Sequence, residues 1–186
     1  MARAWRFGDS VNTDQIIPGR FNVTTDRSEL GRACFVELRP EFAGSVQPGD
    51  VIVAGSDFGC GSSREHAVLA IQATGVAAVL APSFGRIFYR NAINLGLTAL
   101  ECADADWVAD GTEVVFDPGR GFLREIAGAR QLTARPLPAF AQRIAGHGGV
   151  LELVRAHGSL QGSCGSGCGV EVGMNNNEGE SENDPR

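Results

Sequence analysis

The chain has 186 residues, is 43% hydrophobic and carries a formal charge of −6, a length that suits one domain, or one domain with a tail, around a sizeable core. All 16 basic residues are arginine and none cluster into a basic block, which argues against nucleic-acid binding. The start MARAWRFGDSVNTD lacks the apolar stretch of a secretion signal, no apolar run approaches the roughly 20 residues that span a bilayer, and five scattered cysteines, Cys34, Cys60, Cys102, Cys164 and Cys168, suit reduced thiols in a cytoplasm better than a disulfide framework.

In chain order, the clearest elements begin after the turn signal QPGD. Asp50-VIVA-Gly55 is a short β-branched run, expected to be a buried strand. Residues 64–74 place Ala67, Val68, Ala70 and Ile71 at helical spacing, with Gly75 as the stop. Residues 76–81 form a second apolar strand, 84–95 a second helix ended by Gly96, and 97–102 a third strand. A β-α-β-α-β order predicts a parallel core. Residues 112–126 then predict a hairpin around DPGRG, followed by short helices over 137–145 and 150–156. The fold class is therefore α/β with a mixed, partly parallel sheet. Residues 1–158 form the domain. Residues 159–186, rich in Gly, Ser, Asn and Glu, are expected to be a disordered tail, and the Cys164/Cys168 pair alone is weak evidence for a metal.

The stretch GCGSSREH, residues 59–66, joins the first of these strands to the first helix. The first N–H groups of a helix lack partners and the helix dipole adds positive potential there, which favours a carboxylate or phosphate. Gly59 and Gly61 let the backbone approach a ligand, and Arg64 adds a fork suited to a carboxylate. Ser62 or Ser63 then has two readings. Ser-Ser-x-Glu fits a capping box with no chemical role. Alternatively, cationic and N–H neighbours activate a serine oxygen, a poor base at its free pKa, to take a proton beside a substrate carboxylate. The lone Gly-x-Gly lacks a dinucleotide fingerprint or P-loop, and no nucleophile elbow is present. Residues 1–158 show no convincing metal site, so an electrophile for the leaving group would come from another chain.

Three motifs, NTDQIIPGRF, PGDVIVAGSDFGCGSSREHA and SFGRIFYRNAINLGL, resemble in order and spacing the small subunits of the 3-isopropylmalate dehydratase and homoaconitase group, relatives of aconitase's swivelling domain. The resemblance spans roughly residues 7–155. It implies a three-layer β/β/α swivelling domain that closes over a separate large subunit, as a heterodimer or heterotetramer. That subunit carries a 4Fe–4S cluster on its own cysteines, with one iron acting as Lewis acid, and no metal ligand falls to this chain. The implied reaction is a hydro-lyase step of branched-chain amino-acid biosynthesis: a hydroxy dicarboxylate is dehydrated to an enoic acid, then rehydrated with the hydroxyl on the neighbouring carbon. Ser62 matches the family's serine base. Ser63 and Arg64 match residues that hold the substrate carboxylate and the serine, and Asp14 matches an aspartate near the active site. Glu65 and His66 are read as holding the loop in shape, and Arg86 and Arg90 as structural or subunit-facing.

In this group the loop after NTDxI reads the substrate's variable side chain. Here it contains Phe21, Asn22, Val23 and Thr24, with no arginine before Arg27. A buried Val23 suits an alkyl group and would leave a carboxylate unpaired. That favours isopropylmalate or a small alkylmalate such as citramalate over the longer diacid of homoaconitase. Phe21, where many relatives have tyrosine, Asn22, where many have leucine, and nearby Arg20 are departures from the pattern. A non-catalytic dicarboxylate-binding module is the remaining alternative.

Overall fold

The computed structural model describes residues 1–158, and the expected tail over 159–186, with Cys164 and Cys168, lies outside the described residues. Four strands pair in parallel: β1 (Ala2–Arg6), β2 (Val51–Val53), β3 (Ala78–Ala81) and β4 (Ala99–Glu101). Three more, β5 (Glu113–Asp117), β6 (Phe122–Glu125) and β7 (Gln131–Thr133), pair antiparallel and join the first half through β1. The order across the sheet is β4-β3-β2-β1-β5-β6-β7.

Strand alternation decides which core each side chain enters. Trp5, Ile52, Val79 and Ala99 face the helices, where they join Leu30, Phe42, Ala67, Ile71 and Phe88. Their neighbours Ala4, Val51, Val53, Leu80 and Leu100 point the other way and meet Val114, Leu123 and Leu132 of the antiparallel half. Two halves of one sheet can share an apolar cluster only if the sheet curls over itself, and this gives the expected β/β/α layering. The helices are α1 (Thr13–Ile16), α2 (Arg27–Ala33), α3 (Phe42–Ser45), α4 (Glu65–Ala73), α5 (Arg86–Leu95), α6 (Ala139–Gly146) and α7 (Val150–His157), with a 3₁₀ turn at Gly19–Phe21. None is long and apolar enough to cross a membrane.

The expected parallel core is present, with each strand trimmed by a few residues. The helix expected over 84–95 starts at Arg86, because Phe84 is bridged to Phe58 and the Gly85 N–H donates to the Phe58 carbonyl at 2.9 Å. Within the hairpin turn, Asp117 Oδ1 accepts from the N–H groups of Gly119 and Arg120. Sequence reading missed β1, β7 and α1 to α3. The strand β1 carries two arginines, and contacts with residues distant in sequence accommodate Arg6. Arg3 lies 4.1 Å over the Trp5 ring, while Arg6 pairs with Asp106.

Two carboxylates secure β1. Asp50 is 2% exposed and accepts from the Arg3 N–H, the Trp5 indole and the Gln47 N–H at 2.8, 2.8 and 3.0 Å. Arg39 stacks 4.5 Å from the Trp5 ring centre and grips Asp110 through two hydrogen bonds of 2.7 Å. These Arg39 bonds hold the Asp110 carboxyl below its usual value, against the opposing effect of burial.

Asp50→Ala strands three N–H donors, and at about 1–3 kcal/mol per unsatisfied buried group urea titration should show a loss of about 2–4 kcal/mol with part of the cost relieved by water. For Asp110 the folded pKa lies below the unfolded one, so its stabilisation is present above the unfolded aspartate value of about 3.9 and disappears as pH falls through the folded value. Asp110→Asn should therefore lower the urea midpoint at pH 7, and its gap to the wild type should close as the pH drops below about 4.

Candidate active site

The loop between β2 and α4 does not hang free, because the chain leaving β1 runs beside it and the two are bonded in steps. Phe7 N donates to Val53 O at 2.9 Å, Gly55 N to Gly8 O at 3.0 Å, Ser10 N to Ser56 O at 2.8 Å, Gly59 N to Val11 O at 2.7 Å and Thr13 N to Cys60 O at 3.0 Å. Asp9 Oδ1 accepts from the Ser56 N–H at 2.7 Å. At the end of this run Asn12 opens α1 with a capping box: its side chain accepts from Gln15 N, and Gln15 Oε1 accepts from Asn12 N, each at 2.9 Å. That box is legible in the sequence as N-x-x-Q.

Two glycines shape the loop. Gly59 has φ +76, and a Cβ there would sit 2.2 Å from Phe88 Cγ. Gly61 has φ +99 and faces Thr13 Oγ1 at 3.5 Å from a would-be Cβ. The capping-box reading of the serines fails. The helix α4 starts at Glu65, its cap position is Arg64, and no side chain caps it. A turn bonding Arg64 N to Ser62 O at 2.8 Å holds the serines ahead of the helix, where Ser62 and Ser63 are both exposed.

The site residues named from sequence then fall into two groups. Ser62, Arg64 and Asp14 are brought together. Asp14, on α1, forms an ion pair with Arg64, and a Cβ at Gly19 would stand 3.7 Å from the Arg64 guanidinium and 3.8 Å from the Asp14 carboxylate. Thr13, next to Asp14, contacts Ser62, with the two hydroxyl oxygens 3.3 Å apart. Of the loop residues, Phe21 ends the 3₁₀ turn, and Asn22, Val23 and Thr24 extend beyond it. Phe21 packs on the helix-side core, Asn22 is exposed and the Thr24 hydroxyl accepts from Asp26 N at 3.2 Å. Val23 is 93% exposed. The expected buried valine is thus corrected: the turn at Gly19–Phe21 carries it off the core. Arg20 is engaged elsewhere, paired with Glu37 and 5.0 Å from the Phe21 ring centre. On the other flank of the loop lies a cleft of about 700 Å³ lined by Asp57, Cys60, Phe84, Arg86, Tyr89 and Arg90.

Residues 45–105 match the Aconitase C-terminal domain family. The chain is 47% identical over 156 residues to "3-isopropylmalate dehydratase small subunit 1" of Archaeoglobus fulgidus, covering 84% of this chain and 97% of that protein. With the small subunit 1 of Methanopyrus kandleri it shares 49% over 157 residues, 84% of this chain and 92% of that protein. The crystal structure of 3-isopropylmalate dehydratase (leuD) from Methanocaldococcus jannaschii superposes with a TM-score of 0.78 at 41% identity, covering 83% and 92% of the two chains. The chain belongs to the 3-isopropylmalate dehydratase small-subunit family.

Membership in a dehydratase family of aconitase type raises the question of an iron–sulfur cluster, and the donors among the described residues do not fit one. Such clusters need several thiolates at one point. Cys34, Cys60 and Cys102 are free thiols on separate elements. Burial pushes all three thiols up, most strongly at Cys34, and nearby Asp57 adds to the effect at Cys60. Among the described residues no three His, Cys, Asp or Glu side chains converge. Sequence reading also missed Thr13, whose signal was its place inside the N-x-x-Q box beside Asp14.

Gly61→Ala forces an L-residue into positive φ at about 1–2 kcal/mol. Gly59→Ala adds the collision with Phe88, for a total of about 2–5 kcal/mol. Urea titration of the two variants should rank them in that order.

Proposed function

We propose that this chain is the small subunit of a two-subunit hydro-lyase that interconverts 2-isopropylmalate and 3-isopropylmalate by dehydration and rehydration. The observation that carries the reading is the convergence of Ser62, Arg64 and Asp14 on one exposed face, in a chain of this family. Dehydration removes a proton from one carbon and a hydroxide from its neighbour. The Ser62 oxygen accepts the proton. Arg64 pairs with Asp14 through Nη1, so its orientation is set while its other N–H donors are left for a substrate carboxylate. The N–H groups at the start of α4 add positive potential to the same place. On rehydration Ser62 returns the proton to the other carbon.

The leaving hydroxyl needs a Lewis acid, which a 4Fe–4S cluster on a large partner subunit supplies. That subunit closes over the face bearing Ser62 and over Val23, whose exposed side chain then meets an alkyl group. Arg20 is tied to Glu37, so no free guanidinium on this loop waits for a distal carboxylate. This supports an alkylmalate, isopropylmalate first and citramalate second, over the longer diacid of homoaconitase. The free thiols Cys34, Cys60 and Cys102 suit a cytoplasmic setting.

The test combines this chain with a cluster-loaded large subunit and follows absorbance of the enoate intermediate. Ser62→Ala should lower kcat by about 10²–10⁴-fold, the usual worth of a general base, and turnover equal to the wild type would sink the assignment. Isopropylmalate should be turned over well ahead of homoisocitrate.

A further inference from the structure

Thr13 is 1% exposed, one of three buried polar or charged residues in the described chain. Its hydroxyl oxygen lies 3.2 Å from the carbonyl oxygen of Ser62 and 3.3 Å from Ser62 Oγ. The backbone around it is fixed on both sides: its N–H donates to Cys60 O and its carbonyl accepts from Ile17 N, each at 3.0 Å. Gly61 lies alongside, where a Cβ would stand in ordinary contact with the Thr13 oxygen at 3.5 Å. Thr13 therefore reaches Ser62 from beneath, while the exposed side of Ser62 stays available to a ligand.

A threonine hydroxyl has one proton and two lone pairs, and both of the Ser62 oxygens are within its reach. With Ser62 protonated, Thr13 donates to the Ser62 carbonyl and accepts from the Ser62 hydroxyl. With Ser62 deprotonated, a rotation of the Thr13 O–H aims the same proton at the serine oxyanion. A hydrogen bond to an ionised acceptor is roughly twice as strong as a neutral one, so the contact favours the deprotonated serine.

We propose that Thr13 is the positioning residue of the base: it holds Ser62 Oγ in place and stabilises its oxyanion by donating to it, without giving up its own proton. The proton that Ser62 takes comes from the substrate carbon, whose C–H bond breaks as the serine O–H bond forms. The inference rests on Ser62 being the base, as proposed above.

The test uses the assembled enzyme with its cluster-loaded large subunit and compares Thr13→Val, Thr13→Ser and Ser62→Ala. Valine keeps the shape and removes the donor. Thr13→Val should lower kcat about 10- to 100-fold, the worth of one hydrogen bond to a charged group, with little change in KM. It should also move the acidic limb of the pH–rate profile to higher pH. Thr13→Ser should restore both, and the unfolding midpoints of the Thr13 variants report folding separately. A Thr13→Val enzyme with the wild-type kcat and pH profile, beside an inactive Ser62→Ala, would overturn this inference alone. So would an equal loss in Thr13→Ser and Thr13→Val with the pH profile unmoved, which marks a packing role. Full turnover by Ser62→Ala would overturn the base assignment and this inference with it.

Discussion

A glycine without a side chain at position 59 is the constraint on which the site depends. Its N–H bonds to the Val11 carbonyl at 2.7 Å while its Cα faces the Phe88 ring. Any larger residue would push the loop off either the N-terminal segment or α5. Both contacts matter, because the first brings residues 11–14 beside residues 59–62 and the second seats the loop on the helix-side core. Gly85 repeats the device on the neighbouring segment, where a Cβ would lie 2.5 Å from the Gly59 carbonyl. Backbones this close are held by their hydrogen bonds rather than by side-chain packing.

The position of the site follows from the parallel half of the sheet. β1, β2 and β3 are neighbours and run the same way, so the segments leaving their carboxyl ends emerge side by side. These are residues 7–14, 54–64 and 82–85. Ligands in open parallel sheets collect at such ends. The antiparallel half has another task. Folded over the parallel half, it closes the second core, where Leu123 and Leu132 meet Leu80 and Leu100. One face of the loop, with Ser62 and Ser63, is left exposed.

Charge is used in two ways on this molecule. Arg39 sits between Trp5, Phe7, Asp110 and Glu41, and its terminal nitrogens bond the Arg6 carbonyl and Asp110. Among the described residues Arg64 has one carboxylate partner, Asp14, and it lies beside an exposed serine. Arginine suits both positions because its planar fork can satisfy one carboxylate and still present donors elsewhere. The difference lies in what surrounds the guanidinium: aromatic faces at Arg39, glycine backbone and open space at Arg64.

Local pattern alone determined the β2-α4-β3-α5-β4 core. Short β-branched runs, helical spacing and glycine stops are set by neighbours along the chain, and they put GCGSSREH between a strand and a helix. The motif order carried the family, and with it Ser62, Arg64 and Asp14. Only tertiary structure decided the rest. The serines do not cap α4 because a turn and the 11–13 segment hold them ahead of it, which no Ser-Ser-x-Glu pattern reports. β1 became a central strand because Asp50, Arg39 and Asp110, distant in sequence, satisfy its polar groups. Val23 is exposed because a 3₁₀ turn carries it outward, although its apolar side chain reads as buried. Thr13 lies 49 residues from Ser62 along the chain, and its hydroxyl meets the serine only because parallel pairing of β1 with β2 sets their outgoing segments side by side.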